Sequence, residues 1–143
     1  MKILVLHGPN LNVLGQRDSS QYGVKTLDEI NQELLMIAVK QHITLEIFQS
    51  NHEGALIDTI QKSRGVFDGI LINPGALTHY GYSLRDALED SKLPIVEVHL
   101  SEITKREAFR KINVLDGIVV DQIVGLKDQS YIKGLIKLLE VLS

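Results

Sequence analysis

Short apolar runs in this chain alternate with stretches where apolar residues recur every three or four positions. Ile3–Leu6, Thr44–Phe48 and Gly69–Ile72 read as strands. The last is wholly apolar, as expected of a strand covered on both faces. Pro94 introduces a fourth strand over Ile95–Leu100. A fifth lies within Ile118–Val124, where Asp121 and Gln122 interrupt the apolar run. Between the strands, Leu27, Ile30, Leu34 and Ile37 predict a helix from Leu27 to about Gln41, opened by a Thr26–Glu29 capping box. Ala55, Ile57 and Ile60 predict a second helix as far as Arg64, with Ser50 or Asn51 as its cap and Gly65 as its stop. Leu84, Ala87 and Leu88 predict a third, from about Tyr80 or Gly81 to Ser91. Thr104-Lys105-Arg106-Glu107 reads as another capping box, starting a short helix through Arg110. Ser130 is the expected cap of a last helix with Tyr131, Leu135, Leu138 and Leu142 inward.

Strands that alternate with helices in this way predict an α/β fold: a doubly wound five-stranded parallel sheet, most simply in the flavodoxin-like order 2-1-3-4-5. No linker, repeat or second domain interrupts residues 1–143, so one catalytic domain is expected. One connection is out of proportion. Loops between a strand and a helix usually run about 2–6 residues, yet Gly8 to Gly23, GPNLNVLGQRDSSQYG, separates the first strand from its helix. A long loop with this mixture of Asn, Leu, Arg and Tyr is expected to act as a lid over roughly residues 8–24.

Composition narrows the function classes. Net charge is −3 and no Lys/Arg run occurs, which argues against nucleic-acid binding. With no cysteine, thiolate catalysis, disulfides and Cys-ligated metal are excluded. The opening MKILVLHGPN does not fit a signal peptide, and no apolar run approaches the roughly 18 residues of a membrane span. A soluble cytoplasmic protein is the expectation.

In such a sheet, ligands bind beyond the carboxyl ends of the strands. Polar residues collect there: His7–Asn10, Gln49–His52, Asn73 and Glu97–Ser101. Glu97 and His99, two apart in a strand, share a face. A carboxylate in an apolar strand is costly unless paired, and Glu97 would fix the His99 tautomer and free the other ring nitrogen. A pair that only satisfies itself fits the same spacing. Arg17 and Tyr22 form a second constellation. A free phenol titrates near about 10, and a guanidinium nearby favours the phenolate, so Tyr22 could act as a base under a closed lid. Arg–Tyr proximity in a loop is more often surface packing, so the pair alone does not establish the role. His7, His52, His79 and His99 lie near strand ends but lack metal-ligand spacing, so no metal is expected. Phosphate-binding glycine loops are missing as well.

The stretches GPNLNVLGQR…YG (8–23), QSNHEG (49–54), NPGALTHY (73–80) with Asp86-Ala87, EVHLS (97–101) and REAFR (106–110) together resemble the type II 3-dehydroquinate dehydratase family, in order and over most of the chain. The resemblance implies a flavodoxin-like lyase of the shikimate/quinate pathway. It would need no cofactor and would convert 3-dehydroquinate to 3-dehydroshikimate by anti elimination through an enolate. It further implies Tyr22 as the base at C2 and Arg17 as the lid residue that activates it. Asn10 would hold a water against the enolate oxygen, and His99, oriented by Glu97, would be the acid at the C1 hydroxyl. Asn73, His79 and Arg110 would bind ring hydroxyls. The Leu100 and Ser101 N–H groups would hold the carboxylate near a helix N-terminus. Asp86 would reach a neighbouring subunit's site, because the family assembles as dodecamers built from trimers. His52 and Asn12 are expected near the site without assigned roles. The chain departs from the family pattern at Asp18-Ser19 in the lid, at Glu102, and from Ile112 to Ser130.

Overall fold

In the computed structural model, which describes residues 1–143, β1 (Lys2–His7), β2 (Thr44–Gln49), β3 (Gly69–Asn73), β4 (Ile95–Val98) and β5 (Asp121–Ile123) form one parallel sheet in the order β2-β1-β3-β4-β5. The predicted topology is the observed one. Alternation along the strands sends side chains to two separate cores. On one face, Ile3, Val5, Leu71, Val96 and Val98 pack against α2 (Leu27–Gln41) and α5 (Asp128–Leu142). On the other, Leu4, Leu6, Ile70, Ile72 and Ile95 pack against α3 (Glu53–Gln61) and α4 (Tyr82–Ser91). The Thr26–Glu29 capping box is present at the start of α2.

The element ends differ from expectation where side chains are engaged elsewhere. Residues 8–24 hold a 3-10 turn, Leu11–Val13, and a short helix α1 (Ser19–Tyr22), whose N-cap Asp18 accepts from the Ser20 N–H at 3.0 Å. Neither Ser50 nor Asn51 caps α3. Its N-cap is His52, while Asn51 Oδ1 accepts from the Asn10 N–H at 2.9 Å. A 3-10 turn, Gly75–His79, precedes α4. The Thr104–Glu107 capping box does not form: Thr104 donates to Glu102, and the β4–β5 connection is two 3-10 turns, Ile103–Lys105 and Ala108–Lys111. Only Ile103 is buried in those turns, so there is no apolar stripe for an α-helix to bury. Asp121 and Gln122 do not break the fifth strand; with Ile123 they are the strand. It lies at the sheet edge and is half-buried, where polar residues are tolerated. Ser130 lies inside α5 instead of capping it, and its hydroxyl accepts from the Leu126 N–H at 3.1 Å.

Candidate active site

The carboxyl ends of β1, β3 and β4 meet residues 9–22 and the β4–β5 turns around one pocket. Asn10, Arg17, Tyr22, Asn73, His79, His99, Leu100, Ser101 and Arg110 all line it. Glu97 stands behind His99, fully buried. Asp86 is exposed on α4 and lies outside this pocket, and so do His52 and Asn12. His7 points into the α2/α5 core, where its ring nitrogens meet Asn31 Oδ1 at 2.8 Å and the Tyr131 hydroxyl at 2.7 Å.

The left-handed backbone of Asn10 (φ 69°) turns the chain out of β1, and its N–H is held by Asn51. Gly8 permits this turn, because a Cβ there would lie 2.5 Å from the Pro74 carbonyl oxygen. Arg17 lies over the Tyr22 ring, with Cζ 3.7 Å from its centroid, so their contact is a stacked cation–π pair. The partner of the phenolic oxygen is a residue with no role assigned from the sequence. Arg106 donates to Tyr22 Oη at 2.8 Å and to Ser101 Oγ at 3.2 Å. Its signal was present in the REAFR stretch, where Arg106 and Arg110 lie four apart. Burial pulls Arg17 below the usual guanidinium range. Tyr22 opposes that shift, and the cationic Arg106 and Arg110 add to it.

Behind the pocket wall at the end of β4, Glu97 Oε2 lies 2.5 Å from His99 Nε2. Burial alone would raise the Glu97 carboxyl. Hydrogen bonds and charge from His99, with donation from Thr78 and Asn113, outweigh it and hold the carboxyl below its ordinary value. Glu97 is therefore the acceptor, His99 carries its proton on Nε2, and Nδ1 is the nitrogen left for a ligand. His79 is fixed the opposite way. Its Nδ1–H donates to the Ile112 carbonyl at 2.7 Å, which leaves Nε2 free, and its ring meets Phe109 edge-on. Burial lowers the His79 pKa; the bond to Ile112 resists this, and His99 and Arg110 reinforce it.

The Leu100 and Ser101 N–H groups have no acceptor within the chain, whereas their carbonyls accept from Lys127 and Gly125. Only a three-residue 3-10 turn follows them, so the expected α-helix N-terminus is not there to reinforce them. Glu102 is turned towards Thr104 and away from the pocket. No three His, Asp or Glu side chains come close enough to share a metal ion. Two unpaired N–H groups, three guanidiniums and two oriented histidines suit a small, oxygen-rich anion.

A sequence profile described as Dehydroquinase class II matches residues 1–139. A 3-dehydroquinate dehydratase of Roseiflexus castenholzii is 55% identical over 92% of this chain and 84% of its own. One from Geotalea daltonii is 52% identical over 94% of each. Among solved structures, the type II dehydroquinase of Butyrivibrio crossotus superposes with a TM-score of 0.94, at 44% identity over 97% of both chains. By fold, by the order of its site residues and by these matches, the chain belongs to the class II dehydroquinase family.

Proposed function

We infer that this chain dehydrates 3-dehydroquinate to 3-dehydroshikimate, as expected of a shikimate-pathway lyase, by an anti elimination divided between the two sides of the pocket. Tyr22, as phenolate, takes the C2 proton alpha to the ketone, and the electron pair moves into an enolate. Arg17 over the ring and Arg106 at the oxygen face the charge that a tyrosinate carries. Asn10 supports a water at the enolate oxygen, the position where negative charge develops. The enolate then collapses, the C1–O bond breaks, and His99 gives its Nδ1 proton to the departing hydroxyl, so that water leaves. Glu97 stabilises the imidazolium that this step requires. Asn73, His79 and Arg110 take ring hydroxyls, and the Leu100 and Ser101 N–H groups take the carboxylate. The observation that carries the reading is that one pocket is lined both by Tyr22, contacted by two guanidiniums, and by His99, backed by a buried carboxylate.

Residues 1–143 act in this reading as one catalytic unit with 8–24 as its lid, and they need neither metal nor cofactor. Tyr80, Tyr82, Phe109 and Ile112 carry large side chains in exposed positions, and Phe109 and the Ile112 carbonyl meet His79. Such exposed side chains support a homo-oligomer, which the family membership extends in this reading to a dodecamer built from trimers, with Asp86 reaching a neighbouring site. No helix is long and apolar enough to cross a membrane, and the reading places the enzyme in the cytoplasm.

The test follows the ultraviolet absorbance of the conjugated enone product after mixing with 3-dehydroquinate. Wild type is expected to turn over in the presence of chelator and after borohydride treatment. Tyr22→Phe and Arg17→Ala are expected to fold normally and to lose about a hundredfold or more in kcat. A flat trace from folded wild type across neutral pH would sink the reading.

A further inference from the structure

Asn113 lies in the segment where the family resemblance fades, yet it touches the most deeply buried charge of the site. Its Nδ2 donates to Glu97 Oε1 at 3.0 Å and approaches Oε2 at 3.3 Å. The orientation of the amide is fixed, because Oδ1 accepts from the Leu115 N–H at 2.7 Å and a flipped amide would oppose two donors. Thr78 Oγ1 lies 2.5 Å from Glu97 and 3.0 Å from Asn113 Oδ1. It has one proton, which goes to the carboxylate. The same segment grips the turn that carries Thr78 and His79: the Val114 N–H donates to the Thr78 carbonyl at 2.8 Å, and the Ile112 carbonyl accepts from His79.

We propose that Asn113 is a positioning residue for the acid half of the reaction, holding Glu97 ionised and aimed at His99 Nε2. The proposal rests on the reading of His99 as the acid. Without the amide donor, a carboxylate with no solvent contact keeps two partners in place of three, and the protonated carboxyl becomes easier to reach. A neutral Glu97 no longer accepts from His99 Nε2–H as a carboxylate, so the ring loses both the bond that aims Nδ1 and the counter-charge that stabilises its imidazolium form. Substrate contacts on the Tyr22 side are untouched. The other titratable and charged groups near Glu97 and His99 are His79 in the 75–79 turn and Arg110 beyond it. Arg85 of α4 is occupied by the Val114 and Asp116 carbonyls.

The test is Asn113→Ala in the full-length protein, read as kcat, KM and the pH dependence of kcat. The expected result is a fall in kcat of about tenfold to a hundredfold with KM changed less than about threefold. The acid limb of the kcat profile should move to higher pH, because Glu97 takes up its proton more readily. Asn113→Asp keeps the acceptor for the Leu115 N–H and puts a second carboxylate against Glu97. It serves if the alanine variant does not fold, and it is expected to lose at least as much kcat. An unmoved acid limb, or a loss confined to thermal stability or KM, overturns the proposal. Tyr22→Phe runs alongside as a control. If wild type is active and Tyr22→Phe is not while the Asn113 variants match wild type, only this proposal fails. If wild type is inactive, the reaction assignment fails.

Discussion

At the scale of single residues, His7 and His99 show how the same side chain takes opposite roles according to the face it occupies. His99 points to the pocket and keeps a carboxylate behind it, whereas His7, at the end of β1, points into the α2/α5 core. Burial lowers the His7 pKa from 6.5 to about 4, partly resisted by Asn31, so the ring is neutral in the folded state. The consequence for stability has a definite sign. Above pH 6.5 the ring is neutral in both states and nothing is lost. As pH falls from 6.5 towards 4 the unfolded chain gains a proton that the native ring refuses, and stability declines by about 3 kcal/mol in all. Urea titrations of wild type and His7→Gln between pH 7.5 and 4.5 check this. The wild-type stability should fall more steeply than that of the variant, and parallel slopes would exclude His7 as the cause. Near the strand ends, the sequence pattern marks both histidines as candidates. Which of the two faces the pocket depends on strand register, and a one-residue change in register reverses the face.

At the scale of elements, the well-patterned helices were the ones legible in advance. α2 combines a capping box with an apolar stripe, so its start and inner face follow from local chemistry alone. α5 carries its stripe too, but Gly134 in its middle has no local explanation. A Cβ at Gly134 would meet the Val98 side chain and lie 2.9 Å from Leu71 Cδ1, so the helix approaches the sheet at van der Waals contact. Gly134→Ala gains about 1 kcal/mol of helix propensity against an overpacking penalty of about 1–3 kcal/mol. The expected net result is a lower Tm, readable in a thermal melt; a raised Tm would show that the sheet yields. The β4–β5 connection departs from its local pattern for the complementary reason. Its Thr-Lys-Arg-Glu spelling fits a cap, but Arg106 is bonded to Tyr22 and Ser101, and no buried stripe follows to support an α-helix.

At the scale of the whole molecule, the carboxyl end of the sheet gathers groups from positions 10 to 110 around one pocket. If Asp86 serves an adjacent subunit, two inactive variants should complement each other. Co-expression of Tyr22→Phe with Asp86→Ala is expected to yield assemblies more active than either variant alone, with sedimentation reporting the oligomer. Activity that never exceeds the separate variants would return Asp86 to an ordinary solvated helix position.

Alternating strand and helix periods determined the fold class and made 2-1-3-4-5 the simplest strand order, because burial of one face per element admits few arrangements and crossovers keep one hand. The motif stretches likewise mark Tyr22, Arg17, His99 and Glu97. The tertiary structure alone decided that Arg106 holds the Tyr22 oxygen while Arg17 takes the ring face, that Asp121–Ile123 pairs despite its polarity, and that Asn113 reaches Glu97. Each of these depends on contacts between residues far apart in the chain. Local period and propensity carry no information about such contacts; they form only when the sheet brings its strand ends and connections together.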